Sequence, residues 1–182
     1  TSVQESQERV KAALKNAGFP FPMRKVVVNL TPADVRKEGP IYDLPIAIGI
    51  LAAADLVSQE SLDQYLLLGE LSLDGSLRPV AGVMAMAAAA HPLGIKGLIV
   101  PEDNAQEAAV VPDLLVYGFK AITDVVEFLN NPGGCPPLTI DGRDALAQAQ
   151  PHAVDLRDVK GQAQARRALE IAAAGGHNLI LS

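Results

Sequence analysis

Leu68-Gly69-Glu70-Leu71-Ser72-Leu73-Asp74-Gly75-Ser76-Leu77-Arg78-Pro79-Val80 is the stretch that decides the fold. Asp74-Gly75 stands between alternating apolar residues, a strong local hairpin signal because both turn residues must tolerate positive φ. The run Tyr65–Leu68 leads into this hairpin. Downstream, the pattern predicts a helix from Gly82 to Ala90 and a turn at Gly94–Gly97, then a strand at Leu98–Val100. Pro101–Asn104 opens a short helix through Val110, Leu114–Tyr117 reads as a strand, and a helix from Thr123 to Leu129 closes the unit. Upstream, Val10, Ala13, Leu14 and Ala17 recur at helical spacing over Ser2–Asn16, with Gly18 as the stop. Lys25–Leu30 is β-branched and flanked by prolines, hence an expected strand, and Thr31–Asp34 turns the chain. A second helix, Pro45–Asp55, is apolar on nearly all sides and so expected to be buried.

The 182 residues suffice for one compact domain and a fragment of a second. Hydrophobic residues make up 49% and charged residues 20%, which excludes disorder. Much of the apolar content is alanine, and aromatics are 4% with no tryptophan, so helices should approach a sheet closely. A net charge of −6 and pI near 5.0 argue against a nucleic-acid binder over its whole surface but leave a local basic patch open. Cys135 is alone, so nothing requires an oxidising compartment, and a cytoplasmic location is expected. Ile46–Ala54 is the longest apolar stretch, too short to span a bilayer, so no membrane partner is expected. No signal peptide is visible. Thr1 at the start and Leu179-Ile180-Leu181 at the end read as cut ends of a longer protein.

From Asn130 to Pro151 the composition shifts to turn-rich and polar, which reads as a linker. Asp158-Val159-Lys160-Gly161-Gln162 then leads into a helix, Ala163–Ala174. Gly175-Gly176 ends it, and a strand is expected from Leu179. The expected division is 1–130, a linker over 131–153, and 154–182. On its own the last segment reads equally as an ordinary helix–turn–strand unit or as the entry to a nucleotide-binding module.

Other chemistry-bearing residues take plain readings. Asp34, Glu38 and Asp43 flank turns and read as caps and solvated charge, Asp43 lying just before a helix where an acid is favoured. His91, His152 and His177 lack metal-ligand spacing, so no metal site is expected. Met84 and Met86 cannot share one helix face, and core packing is expected for at least one. Arg24-Lys25, Arg36-Lys37 and Arg166-Arg167 are solvated pairs unless they converge in space.

Longer motifs in fixed order carry a resemblance. Val3–Val10, Val28-Asn29-Leu30 with Pro32-Ala33-Asp34, Arg36–Gly39, Tyr42–Ala47, Leu68–Val80 and Arg166–Leu179 together resemble the magnesium-chelatase-like AAA+ family known as YifB or ComM. The resemblance covers nearly the whole chain, and the family's opening strands would lie before Thr1. It implies an α/β (α+β) fold: a mixed sheet with packed helices over residues 1–130, similar to the Lon protease domain and to a ribosomal small-subunit protein domain. A truncated AAA+ segment would follow, cut before its glycine-rich phosphate loop.

The Lon pattern places a serine nucleophile after Gly-Pro and its activating lysine after a Gly-Gly pair. Here Gly39-Pro40 is followed by Ile41, and Ala81-Gly82-Val83 by Met84, Ala85 and Met86. Neither an isoleucine nor a thioether does that chemistry, so no catalytic residue is expected. The resemblance further implies an ATP-driven ring, expected to be hexameric, using ATP and Mg²⁺ in the parent protein and working on DNA as a branch-migration helicase in recombination and natural transformation. Val159, Gly161 and Gln162 are the nucleotide-contact candidates, flanking the adenine, while phosphate and Mg²⁺ contacts would lie beyond Ser182. Two alternatives stay open: a non-enzymatic oligomerisation or partner-binding scaffold, and a metal-chelatase motor subunit.

Overall fold

The computed structural model describes residues 2–23, 25–31, 39–60, 62–138, 156–175 and 178–180. The chain divides into two compact units, Thr1–Ala145 and Leu146–Ser182.

The first unit has the α/β architecture expected. Helix α1 (Ser2–Asn16) carries Glu5 in its first turn and Lys15 in its last, each opposing the local end of the helix dipole. Helix α2 (Asp43–Ala53) is apolar on most sides, and Leu44, Ala47, Ile48 and Leu51 are buried. Three parallel strands follow in the order β1 (Tyr65–Leu67), β4 (Gly97–Pro101), β5 (Leu115–Phe119), with Leu66 opposite Leu98 and Leu98 opposite Val116. The hairpin β2 (Glu70–Leu71) and β3 (Leu77–Arg78) forms a separate antiparallel pair. Helix α3 (Val83–Ala90) precedes β4, α4 (Glu102–Ala108) connects β4 to β5, and α5 (Ile122–Asn130) follows β5.

Alternation along the strands sorts two cores. Leu98, Val100 and Val116 face α3 and α4, where Val83, Ala87, Ala105 and Ala108 are buried. Ile99, Tyr117 and Phe119 face the other way, toward α1, α2, the hairpin and α5. The alanine-rich helices bring the backbone close. An added Cβ at Gly118 of β5 would lie 2.7 Å from Ala105 Cβ and 3.2 Å from Glu102 Cα. On the other face Phe128 centres an aromatic group, 4.4 Å from Tyr117, 5.4 Å from Phe119 and 5.6 Å from Tyr65 between ring centroids.

Several expectations are corrected. Residues 25–30 form no strand: their β-branched side chains favour one, but no described strand lies alongside, and without a ladder the propensity is unexpressed. Val26 packs against the core, whereas Val27 is 77% exposed. The apolar run at Tyr65 pairs in parallel with β4 rather than joining the hairpin. In the hairpin turn only Gly75 has positive φ, +89°, while Asp74 instead accepts hydrogen bonds from the Ser76 amide (3.0 Å) and hydroxyl (2.7 Å). Those bonds hold the Asp74 carboxyl below the usual carboxylate range.

In the second unit, helix α6 (Ala163–Gly175) matches the expected helix. The strand expected from Leu179 is not seen among the described residues: 178–180 are irregular, Ile180 is 91% exposed, and no described strand lies alongside to pair with them.

Candidate functional site

Two places hold the residues that the sequence singled out. The first is the turn entering α6. A short 3₁₀ turn, Leu156–Asp158, precedes it, and the Val159 amide donates to the Leu156 carbonyl at 3.2 Å. Gly161 and Gln162 both adopt positive φ, +76° and +50°, which swings the chain into the helix. The Gln162 carbonyl then accepts the first helical bond from the Arg166 amide at 2.9 Å, and the Arg166 guanidinium reaches back to the Val159 carbonyl at 3.4 Å. Val159, Gly161 and Gln162 are thus brought together on one exposed turn. Among the described residues nothing lies within 4 Å of a Cβ added at Gly161. The turn thus presents the partly exposed apolar side chain of Val159.

The second place is a cleft of about 390 Å³ in the first unit, lined by Gly39, Pro40, Ile41, Glu70, Pro79, Val80 and Ala81. The two segments that the Lon pattern makes catalytic therefore meet here. Backbone bonds anchor the first of these segments to the residue before the hairpin: the Gly69 amide donates to the Ile41 carbonyl and the Leu44 amide to the Gly69 carbonyl, both at 3.1 Å. Ile41 leans on the α3–α4 core, and Met84 is 48% exposed at the start of α3. Neither side chain can attack a carbonyl or take a proton.

Two buried polar groups that position this cleft escaped the sequence reading. Asp43, read as a solvated cap, is fully buried. It accepts from Arg9 Nε at 2.7 Å and Arg9 Nη2 at 3.1 Å, from the Ser6 hydroxyl, and from the Leu71 amide at 3.3 Å. The Asp43 hydrogen bond raises the Arg9 pKa further above its ordinary value. Asn104, in the first turn of α4, clamps the cleft's other wall: its Oδ1 accepts from the Val80 amide at 2.9 Å, and its Nδ2 donates to the Val80 carbonyl at 3.0 Å. The only sequence signal for either was a polar residue inside an apolar helical pattern.

Among the remaining candidates, Asp34, Glu38, Arg36, Lys37 and Arg24 lie outside the described residues, as do His152 and His177. Met86 packs against the α3–α4 core, as expected for one of the two methionines. Arg167 is exposed and pairs with Glu170 at 3.1 Å. Among the described residues no group of His, Cys, Asp and Glu could hold a metal ion, and no helix is long and apolar enough to cross a membrane.

Comparison with known proteins adds an independent line. Residues 1–104 match the family model described as subunit ChlI of Mg-chelatase, and residues 155–182 match that of magnesium chelatase, subunit ChlI. The chain is 45% identical, over 98% of its length, to competence protein ComM of Haemophilus influenzae. It is 42% identical over its full length to the YifB protein of Escherichia coli. It spans 35% of the length of each of these relatives. A more distant likeness, 26% identity over 69% of the chain, is to Lon protease 2 of Syntrophobacter fumaroxidans, of which it covers 17%.

Proposed function

Because the chain belongs to the ComM and YifB type of magnesium-chelatase-like AAA+ proteins, we propose that it works as part of an ATP-driven ring, a hexamer, that moves branched DNA in the cytoplasm during recombination and natural transformation. Residues 1–130 act as a Lon-like domain without peptidase chemistry, 131–153 as a linker, and 154–182 as the entry to the ATPase module. The observation that carries this reading is the exposed turn at Val159–Gln162, inside the segment that matches the chelatase model.

ATP with Mg²⁺ supplies a transferable phosphoryl group when bound. The residues of this chain that would hold the nucleotide are Val159, against the adenine face, and the backbone of Gly161 and Gln162, at its edge. The sequence contains no Gly-x-x-x-x-Gly-Lys-Ser/Thr, the pattern whose backbone amides cradle phosphates. The 182-residue chain by itself therefore neither hydrolyses ATP nor binds it tightly.

The test is ATP turnover by the full-length parent with and without a four-way DNA junction, together with junction migration. Turnover that DNA stimulates and migration that needs ATP are expected. Turnover indifferent to DNA, with no migration, overturns the reading. A second reading, an oligomerisation or partner-binding scaffold, is favoured for the first unit by the apolar residues Ile41 and Met84 at both dyad positions. It predicts that deleting the first unit abolishes assembly, whereas a DNA-engaging unit would leave the ring intact and lower its DNA affinity.

A further inference from the structure

The buried polar side chains of the first unit are bonded. Asp43 accepts from Ser6, Arg9 and the Leu71 amide, and Asn104 bonds both backbone groups of Val80. Among the described residues one buried side-chain nitrogen or oxygen has no hydrogen-bond partner: Arg166 Nε, in the first turn of α6. A buried donor without an acceptor is costly, more so in a cation, and such an exception needs a reason.

Its own helix does not supply the acceptor. Glu170, four positions along α6 and so on the same face, is paired with Arg167 at 3.1 Å. The far end of the Arg166 guanidinium donates through Nη1 to the Val159 carbonyl at 3.4 Å, a long bond. The Arg166 amide meanwhile donates to the Gln162 carbonyl at 2.9 Å. One residue therefore grips both ends of the turn in which Gly161 has φ +76° and Gln162 φ +50°, the second a left-handed conformation that a side chain disfavours.

We propose that Arg166 completes the nucleotide site: its spare Nε–H is kept for an acceptor on the bound nucleoside, a purine ring nitrogen or a ribose hydroxyl, while Nη1 steadies the Val159 carbonyl. The inference rests on the nucleotide reading of the Val159–Gln162 turn and adds to it a side chain that otherwise reads as half of a solvated basic pair. A guanidinium carries its donors in a fixed planar fork, so Nε and Nη1 address two acceptors at once. Held by one long bond, the fork needs only a small turn to meet the nucleotide. Without nucleotide, a charge-assisted bond stays unmade; with it, the bond forms. Arg166 thus weighs against the nucleotide-free fold and in favour of the bound state, a split that a purely structural side chain does not produce.

The test uses the full-length parent, fluorescence titration with mant-ATP and mant-ADP, and thermal melts without nucleotide. Arg166→Met keeps an unbranched apolar stem and removes every donor. It is expected to weaken mant-ATP binding about tenfold or more, the worth of a charge-assisted hydrogen bond. The same factor is expected for mant-ADP, since the acceptor lies on the nucleoside, and the nucleotide-free melting temperature should be no lower than in the native protein. Arg166→Lys, which serves one acceptor but not two, is expected to bind with intermediate affinity. Arg167→Met is the charge control and is expected to bind both nucleotides as the native protein does. A nucleotide-free melting temperature that falls in Arg166→Met makes Arg166 a structural strut and overturns the proposal. A loss confined to mant-ATP overturns it too, by placing the contact on the terminal phosphate. Native binding that Arg166→Met leaves intact sinks this assignment alone, whereas a native parent that binds neither nucleotide sinks the nucleotide reading of the turn and this assignment with it.

Discussion

Arg9 and Asp43, thirty-four positions apart, form a two-pronged ion pair, with Nε to Oδ2 at 2.7 Å and Nη2 to Oδ1 at 3.1 Å. Asp43 is fully buried and also accepts from Ser6 and from the Leu71 amide, so one carboxylate ties α1, α2 and the hairpin together.

Removing one partner of such a pair strands the other. Asp43→Ala is expected to destabilise the chain by about 3–5 kcal/mol, because Arg9 and the Leu71 amide lose their acceptor in a buried setting. The double variant Arg9→Met/Asp43→Leu, which removes both charges, is expected to cost clearly less than Asp43→Ala alone. Urea unfolding followed by circular dichroism measures both. An equal loss in the two variants contradicts the account.

Close backbone packing yields a second expectation. Gly75 has φ +89°, and an added Cβ there would come 2.9 Å from Ala17 Cβ, so Gly75→Ala meets both backbone strain and a clash. Gly118→Ala meets Ala105 Cβ at 2.7 Å. Each is expected to cost about 1–3 kcal/mol. Gly118→Ala/Ala105→Gly is expected to lose less than the sum of its single changes, since the second makes room for the first. Strict additivity in thermal melts rules that contact out.

These contacts also mark what the sequence made legible. Asp74-Gly75 announced the hairpin because turn chemistry is local, and the helices over Ser2–Asn16 and Gly82–Ala90 were legible from apolar spacing and glycine stops. Tyr65 pairing with Gly97 was not, because a parallel partner thirty-two residues away leaves no trace in the intervening turns. Lys25–Leu30 was misread for the converse reason: strand composition was present, but no described strand lies alongside. At the candidate site, Val159, Gly161 and Gln162 stood out through a family resemblance rather than through their own chemistry. Asp43 and Asn104 were missed because an acid or amide near a helix start ordinarily caps, and only the fold reveals which side chain turns inward.

Asn104 gives a third expectation. Its amide satisfies both the donor and the acceptor of Val80, and Nδ2 also donates to Glu107 at 2.8 Å. Asn104→Ala leaves those backbone groups short of partners and is expected to cost about 2–3 kcal/mol. Asn104→Asp keeps the acceptor but sets a carboxylate against the Val80 carbonyl and Glu107, and should lose nearly as much at neutral pH. Amide exchange at Val80 is the sensitive readout. Val80 protection unchanged in Asn104→Ala would mean that the cleft wall is held by something else.

The aromatic group behind the sheet sets an alkaline limit. Burial, then the nearby Tyr65 and Cys135, raise the Tyr117 pKa above the ordinary value of about 10. The folded state therefore holds the phenolic proton more tightly than the unfolded chain does. The resulting stabilisation is complete below pH 10 and declines as pH rises through the raised folded value. Of three tyrosines in the chain, Tyr117 should ionise late when absorbance at 295 nm is followed with rising pH, with unfolding and ionisation closely linked. Tyr117→Phe removes that late phase and is expected to push the alkaline unfolding midpoint upward, because no phenolate then has to form inside the Phe119–Phe128 contact. An identical alkaline midpoint in Tyr117→Phe assigns the limit to another group.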